Sequence, residues 1–199
     1  MKSTGPLWHL IPEVKNKQWA KNEIDYFILH KQEQMGMSPN EDADKERLLK
    51  RASLDITGLP PSLETMDRFL ADKSANAYEK IVDQLLQSPA YGEKMAVHWM
   101  DVSRYADSHG YQDDGYRTQW PWRDWVIYAF NKNMHYDDFI TWQLAGDLMP
   151  DATKEKLLAT GFNRNHKITE EGGVVDEEYR VAYVTDRNNM FGKALIGVT

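Results

Sequence analysis

The chain has 199 residues and no cysteine, which excludes disulfides, thiolate metal sites and a cysteine nucleophile within it. It has no basic cluster and a formal net charge of -7, which argues against a nucleic-acid backbone as partner. No apolar run approaches the ~20 residues that a membrane-spanning helix needs. The opening Met1-Lys2-Ser3-Thr4-Gly5 lacks the apolar segment of a signal peptide. There is no glycine-rich phosphate loop, no Gly-x-Ser-x-Gly elbow and no His-Glu-x-x-His pair. Apolar-polar alternation of useful length is missing too, so the predicted class is all-α. We expect one helical domain over residues 1–199, an irregular bundle of about eight helices with two long polar loops.

What is present is helical periodicity between firm breakers. Residues 1–20 read as extended, with Pro6 and Pro12 against a helix and Trp8 and Trp19 as anchors. Asn22 caps a helix to about Met35, with Ile24, Phe27, Ile28 and Met35 inward and Gly36 as its stop. A second helix, about 44–57, carries the stripe Leu48, Leu49, Ala52 and Ile56 and ends at Gly58-Leu59-Pro60-Pro61. Ser62 caps a third, burying Met66, Phe69 and Leu70; Ser74 or Asn76 starts a fourth through Ile81, Val82, Leu85 and Leu86. After Ser88-Pro89 a fifth begins near Tyr91. Residues 109–120 read as loop. Pro121 opens a sixth helix with Trp122, Trp125, Val126, Ala129 and Phe130 on one face. Asp137 starts a seventh with Ile140, Leu144 and Leu148 inward, and a short helix covers about 154–159. A polar loop fills 161–175. A last helix from Asp176 shows two stripes, one with Tyr179, Tyr183 and Asp186, the other with Val184, Arg187 and Phe191, so it is expected to pack on both sides.

The densest chemistry lies in the fifth helix, read as running through Val97-His98-Trp99-Met100-Asp101-Val102-Ser103-Arg104-Tyr105-Ala106-Asp107-Ser108 and ending at Gly110. Met95, Trp99, Val102 and Ala106 would form its apolar stripe; Asp101, Arg104 and Ser108 would form a polar face with His98 and Tyr105 at its border. Arg104 can then pair with Asp101 or Asp107 along the helix, or hold a substrate carboxylate or haem propionate beside Tyr105. His98 can be a general base or an axial ligand, with His109 or His166 as second ligand by tertiary folding. Asp101 or Asp107 can serve as a hydrolase acid or base only if two carboxylates converge. Glu170, Glu171 and Asp176 offer a weak calcium alternative, against which ion pairs of Glu170 or Glu171 with Arg180 or Arg187, near Asp186, are preferred. Five of the seven tryptophans lie between Trp99 and Trp142. Of these Trp120, beside Tyr116 and Tyr111 in the 109–120 loop, is the surface candidate for stacking a sugar ring.

Taken together, Asp55-Ile56-Thr57-Gly58-Leu59-Pro60-Pro61, Ser88-Pro89-Ala90-Tyr91-Gly92-Glu93, His98-Trp99 with Arg104-Tyr105-Ala106-Asp107-Ser108, Gly110-Tyr111, Arg123-Asp124-Trp125-Val126, Gln143-Leu144-Ala145-Gly146-Asp147, Ala159-Thr160-Gly161-Phe162 and Glu170-Glu171-Gly172-Gly173 resemble the planctomycete cytochrome c-associated domain family, a domain of unknown function. The resemblance covers nearly the whole chain. It implies that a Cys-x-x-Cys-His haem segment follows, that C-terminal domains lie further on, and that the parent protein is exported, periplasmic or beyond. The apolar run 192–199 shows no stop and fits a piece of such a longer protein, which would hold haem c outside this chain. The first expectation is therefore a helical module supporting a following haem, electron-transfer or oxidoreductase site, with His98 and Arg104 nearest the haem. The second is a polysaccharide- or partner-binding module using the loops 109–120 and 161–175.

Overall fold

The computed structural model describes residues 11–197 and contains nine α-helices and no strand among them. The chain divides into two compact units, Met1–Asp44 and Lys45–Thr199.

In the first unit, α1 (Glu23–Gln34) starts at a capping box: Asn22 Oδ1 accepts the Asp25 amide and the Asp25 carboxylate accepts the Asn22 amide. The segment before it folds back along the helix, with the amides of Lys15 and Asn16 donating to the Glu33 carboxylate and His30 Nδ1 at 3.1 Å from the Glu13 carbonyl. The expected inward stripe is corrected here. Ile24, Phe27, Ile28 and Met35 are exposed and only Leu29 is buried, because the side facing residues 13–16 is the polar one holding His30 and Glu33. Trp8 and Pro6 lie outside the described residues.

The second unit opens with α2 (Lys45–Thr57), α3 (Leu63–Ala71) and α4 (Ala77–Leu86) around Leu49, Ala52, Phe69, Ala77, Ile81 and Leu85. Ser62 caps α3 by accepting the Thr65 amide. Lys45 crosses from α2 to donate to the carbonyls of Phe69 and Asp72 at the end of α3, where a cation complements the negative helix end.

The larger core gathers α5 (Pro89–Val102), α6 (Trp120–Asn131), α7 (Tyr136–Ala145), α8 (Lys154–Ala159) and α9 (Asp176–Phe191) around Ala96, Trp122, Trp125, Val126, Phe139, Phe162 and Met190. α5 and α6 meet closely at Gly92, whose amide donates to Asn131 Oδ1; a Cβ there would collide with the Asn131 amide group. Aromatic rings fill the centre, with Trp125 stacked on Phe139 at 5.5 Å and Phe162 on Phe191 at 5.5 Å. The buried Gln143 accepts the Trp99 indole N–H at 2.8 Å and donates to the Phe139 carbonyl.

Several expectations shift. On α7 the inward face is Phe139 and Gln143; Leu144 and Leu148 are exposed. On α9 one side packs, through Tyr179, Tyr183, Arg187 and Met190, while Val181 and Val184 face solvent. The start of the 161–175 loop is a 3-10 turn, Thr160–Arg164, with Phe162 fully buried. The run after α9 continues as a π turn, Gly192–Ile196, and Gly197 in the left-handed region supplies the stop that the sequence did not show.

Candidate functional site

The fifth helix ends earlier than its periodicity suggests. α5 stops at Val102, and Arg104 takes a left-handed backbone with φ 56. The Arg104 amide donates to the Asp101 carbonyl and the Tyr105 amide to the Met100 carbonyl, which is the paired closure of a Schellman end. A left-handed residue there is usually glycine, since a Cβ adds strain. Residues 103–119 therefore leave the helix as a folded strap, tied by one antiparallel bridge between Ser108 and Tyr116. Asp101, Arg104, Asp107 and Ser108 do not share a helix face, Gly110 ends no helix, and Val102 is exposed.

Most charged groups in the strap, Arg104, Asp107, Asp114 and Arg117 among them, have a specific structural partner. Arg104 leaves α5 altogether and binds Asp186 on α9, with Nη1 to Oδ1 at 2.8 Å and Nη2 to the Asp186 carbonyl at 3.0 Å. Asp186 Oδ2 also accepts the Lys167 amide at 3.0 Å. Burial alone raises the Asp186 carboxyl, but the Arg104 and Lys167 hydrogen bonds hold it below the usual carboxylate range. Asp107 reaches forward to the start of α6: Oδ1 accepts the Gln119 amide at 2.9 Å, and Oδ2 accepts the Tyr105 hydroxyl at 2.5 Å. It is a helix cap supplied from 12 residues upstream, as Gln119 itself makes no side-chain cap. Despite desolvation, Tyr105, the Gln119 and Trp120 amides and the Arg123 charge keep the Asp107 carboxyl low. Burial first and Asp107 second push the Tyr105 hydroxyl up to about 12.

The two predicted loops meet. The His109 carbonyl accepts the Ile168 amide at 3.0 Å, the buried His109 ring lies 3.3 Å from the Glu170 carboxylate, and Arg117 Nη1 donates to the His166 carbonyl at 2.9 Å. Lys167 sits 5.5 Å over the Tyr111 ring, which also meets Tyr179 edge-on. The polar face around Arg104 joins this seam through Asp186 and Lys167. The predicted ion pairs change partners. Glu170 pairs with His109, Arg180 with Glu177, and Arg187 Nε is buried without a hydrogen-bond partner. Asp176 and Glu177 sit in the first turn of α9. Among the described residues no group of three or more His, Asp or Glu could hold a metal ion, so Glu170, Glu171 and Asp176 form no calcium cradle. The crevice at His109, Tyr111 and Glu170 holds about 10 Å³, too little for an organic ligand.

The side chains of His98 and Asp101 remain exposed on α5, with no hydrogen bond or ion pair among the described residues. Both oxygens of Asp107 are engaged, so it is not poised as a free acid or base beside Asp101.

The accessible volume lies elsewhere. Trp120 is the first residue of α6, not a loop residue, and is 44% exposed. With Asp124 and Tyr128 it follows the i, i+4, i+8 rhythm of one helix face. These three, with Lys154, Glu155 and Leu158 from α8, line an open groove of about 540 Å³. Its neighbour across Pro121 and Leu158, about 550 Å³, is lined by Thr118, Gln119, Trp122, Thr160, Gly161 and Arg164. Tyr116 and Tyr111 line neither groove. Tyr128, Lys154, Glu155 and Arg164 were not singled out from the sequence. The available signal was the aromatic-acid-aromatic face of α6 opposite its core stripe.

The geometry defines an all-helical domain with an open aromatic groove and a braced polar seam. The chain belongs to the family described as PSCyt2, protein of unknown function (DUF1549), whose profile matches residues 23–199. No curated protein and no solved structure matches it. No helix among the described residues is long and apolar enough to cross a membrane.

Proposed function

We propose that this domain is a saccharide-binding module whose site is the groove on α6 and α8. The observation that carries the reading is the pair Trp120 and Tyr128, 44% and 46% exposed on one groove. Two turns of helix separate them by about 12 Å along the axis, the reach of a short oligosaccharide. Flat aromatic faces suit the apolar faces of pyranose rings. Asp124 and Glu155 supply acceptors and Lys154 a donor for ring hydroxyls. This keeps the Trp120 expectation and moves the site from the 109–120 and 161–175 loops to the helices beside them. The test is calorimetric titration of neutral and acidic hexasaccharides against the wild type, Trp120→Ala and Tyr128→Ala. Binding that disappears in both variants supports the reading. Equal binding by wild type and variants overturns it.

A second reading follows the family resemblance: the domain packs beside a haem-bearing segment of an exported parent protein. The supporting observation is that Gly192–Ile196 lies on α5, with Phe191 and Ala194 against the core beside Trp99 and Met100. Of the two residues expected nearest the haem, Arg104 is held by Asp186, which leaves His98. We therefore derive no ligation step. A longer chain containing a Cys-x-x-Cys-His segment, matured with haem, tests the remaining residue. An unchanged absorbance spectrum and potential in His98→Ala removes His98 from the site.

A further inference from the structure

The two neighbouring grooves differ in charge. The α6/α8 groove contains two carboxylates, and Asp124 is already paired with Arg123 through hydrogen bonds of 2.9 and 2.8 Å. The other groove is lined by no carboxylate at all. Its charged residue is Arg164, which is exposed and makes no hydrogen bond or ion pair among the described residues. Thr118 shares the lining with its hydroxyl uncommitted among the described residues, whereas the Thr160 hydroxyl donates to the Leu157 carbonyl at 2.7 Å.

The groups behind this groove carry a surplus of donors. Gln119 Nε2 donates to the Gly161 carbonyl at 2.6 Å and to Asn165 Oδ1 at 2.9 Å. Around it, Arg117 Nε, Trp122 Nε1 and Asn165 Nδ2 are buried and have no acceptor. Arg117 is only 8% exposed and lies within the field of Arg164. Burial, and then the neighbouring Arg164 charge, lower the Arg117 guanidinium below its ordinary value. Asp107 opposes the Arg117 charge, and it is occupied by Tyr105 and the Gln119 amide. Arg117 gives one hydrogen bond, from Nη1 to the His166 carbonyl, while its Nε has no acceptor, so an anion near these two like charges would be favourable. Arginine is also the side chain best shaped to bind an oxyanion with two parallel hydrogen bonds.

We infer that the groove at Arg164 and Thr118 is an oxyanion subsite, and that it takes the carboxylate or sulfate ester of an acidic sugar whose ring lies across Pro121 on Trp120. This rests on the saccharide reading and specifies its substrate class.

The experiment titrates the full chain with cellohexaose, hexagalacturonate, a sulfated carrageenan hexamer and sodium sulfate alone. It is repeated with Arg164→Gln, whose fold is checked by circular dichroism. The expected result is that one acidic oligomer binds about tenfold or more tighter than cellohexaose, and that Arg164→Gln removes that advantage while leaving cellohexaose unchanged, the size of one charge-assisted contact. Which acidic oligomer gains identifies carboxylate or sulfate. Equal affinity for neutral and acidic oligomers, indifferent to Arg164→Gln, overturns the oxyanion subsite and spares the saccharide reading. Sulfate binding that Arg164→Gln abolishes, with no oligomer bound, keeps the subsite and overturns the saccharide reading. No binding of any probe overturns both.

Discussion

The α2–α4 cluster and the strap at 103–119 are built by opposite means. In the cluster, apolar side chains at helical spacing form the core and Ser62 caps the helix that it precedes. In the strap, almost every anchor is remote. Asp107 caps a helix 12 residues on, Arg104 binds a residue 82 positions away, and His109 pairs with Glu170. The chemistry concentrated there looks catalytic in sequence and is mostly bracing in three dimensions. A loop without periodicity must still satisfy its backbone polar groups, and here local partners such as Asp114 on the Gly110 amide are joined by long-range ones such as Ile168 on the His109 carbonyl.

The contrast is broken or sharpened first by comparing caps. Asp107→Ala removes the acceptor of the Gln119 amide and takes the carboxylate acceptor from the part-buried Tyr105 hydroxyl, so it should cost roughly 2–4 kcal/mol. Ser62→Ala loses one local, exposed cap and should cost about 1 kcal/mol. Urea unfolding of both variants measures this; equal losses would mean that the remote cap is no more important than a local one.

The next largest effect is in the pH dependence. Tyr105 is raised to about 12 in the folded chain, so its contribution is fully present below the unfolded value of about 10 and is lost as pH rises through 12. Asp107 is depressed, so its contribution is present above the ordinary carboxylate range of about 4 and is lost as pH falls below it. Between about pH 10 and 12 the wild type should lose about 1–2 kcal/mol more than Tyr105→Phe, allowing for solvent screening. Thermal melts of the two chains across that window decide it, and parallel curves would remove Tyr105 from the buried network.

Arg104 separates backbone from side chain. Arg104→Gly and Arg104→Ala both lose the pair with Asp186, which is partly exposed and so contributes about 1 kcal/mol. Only alanine keeps a Cβ at φ 56, so glycine should be the more stable of the two by roughly 0.5–1 kcal/mol. If alanine equals glycine, the left-handed closure of α5 is not strained.

That residue also shows why the strap was hard to read. Three helices close by the same hydrogen-bond pair, at Gly36, Arg104 and Asn133. Glycine announces such an end and asparagine tolerates it, but arginine gives no local sign, so the helical period was carried past Val102. The helices around Leu49, Ile81 and Trp125 were legible because burial follows a 3.6-residue rhythm. On α7 the same rhythm selected Ile140, which does pack half-buried against the core, but also the exposed Leu144, and it passed over the buried Phe139 and Gln143. Gln143 goes inward to bond the Trp99 indole, a tertiary requirement that no hydrophobic pattern contains. The α6/α8 groove was half legible: Trp120 stood out, whereas Lys154, Glu155 and Arg164 are unremarkable charges until α8 and the 160–164 turn bring them beside α6.

The smallest expected effect concerns the residue with the most chemical promise. His98 lies on α5 among these braced groups but is exposed and unpartnered among the described residues. Unlike His109, buried and paired with Glu170, it supports nothing in the fold. His98→Ala should therefore change stability by no more than about 0.5 kcal/mol, whereas His109→Ala leaves a cavity in the seam and should cost about 1–3 kcal/mol. Denaturant midpoints of the two variants make the comparison. A large loss in His98→Ala would show that this imidazole is part of the scaffold after all.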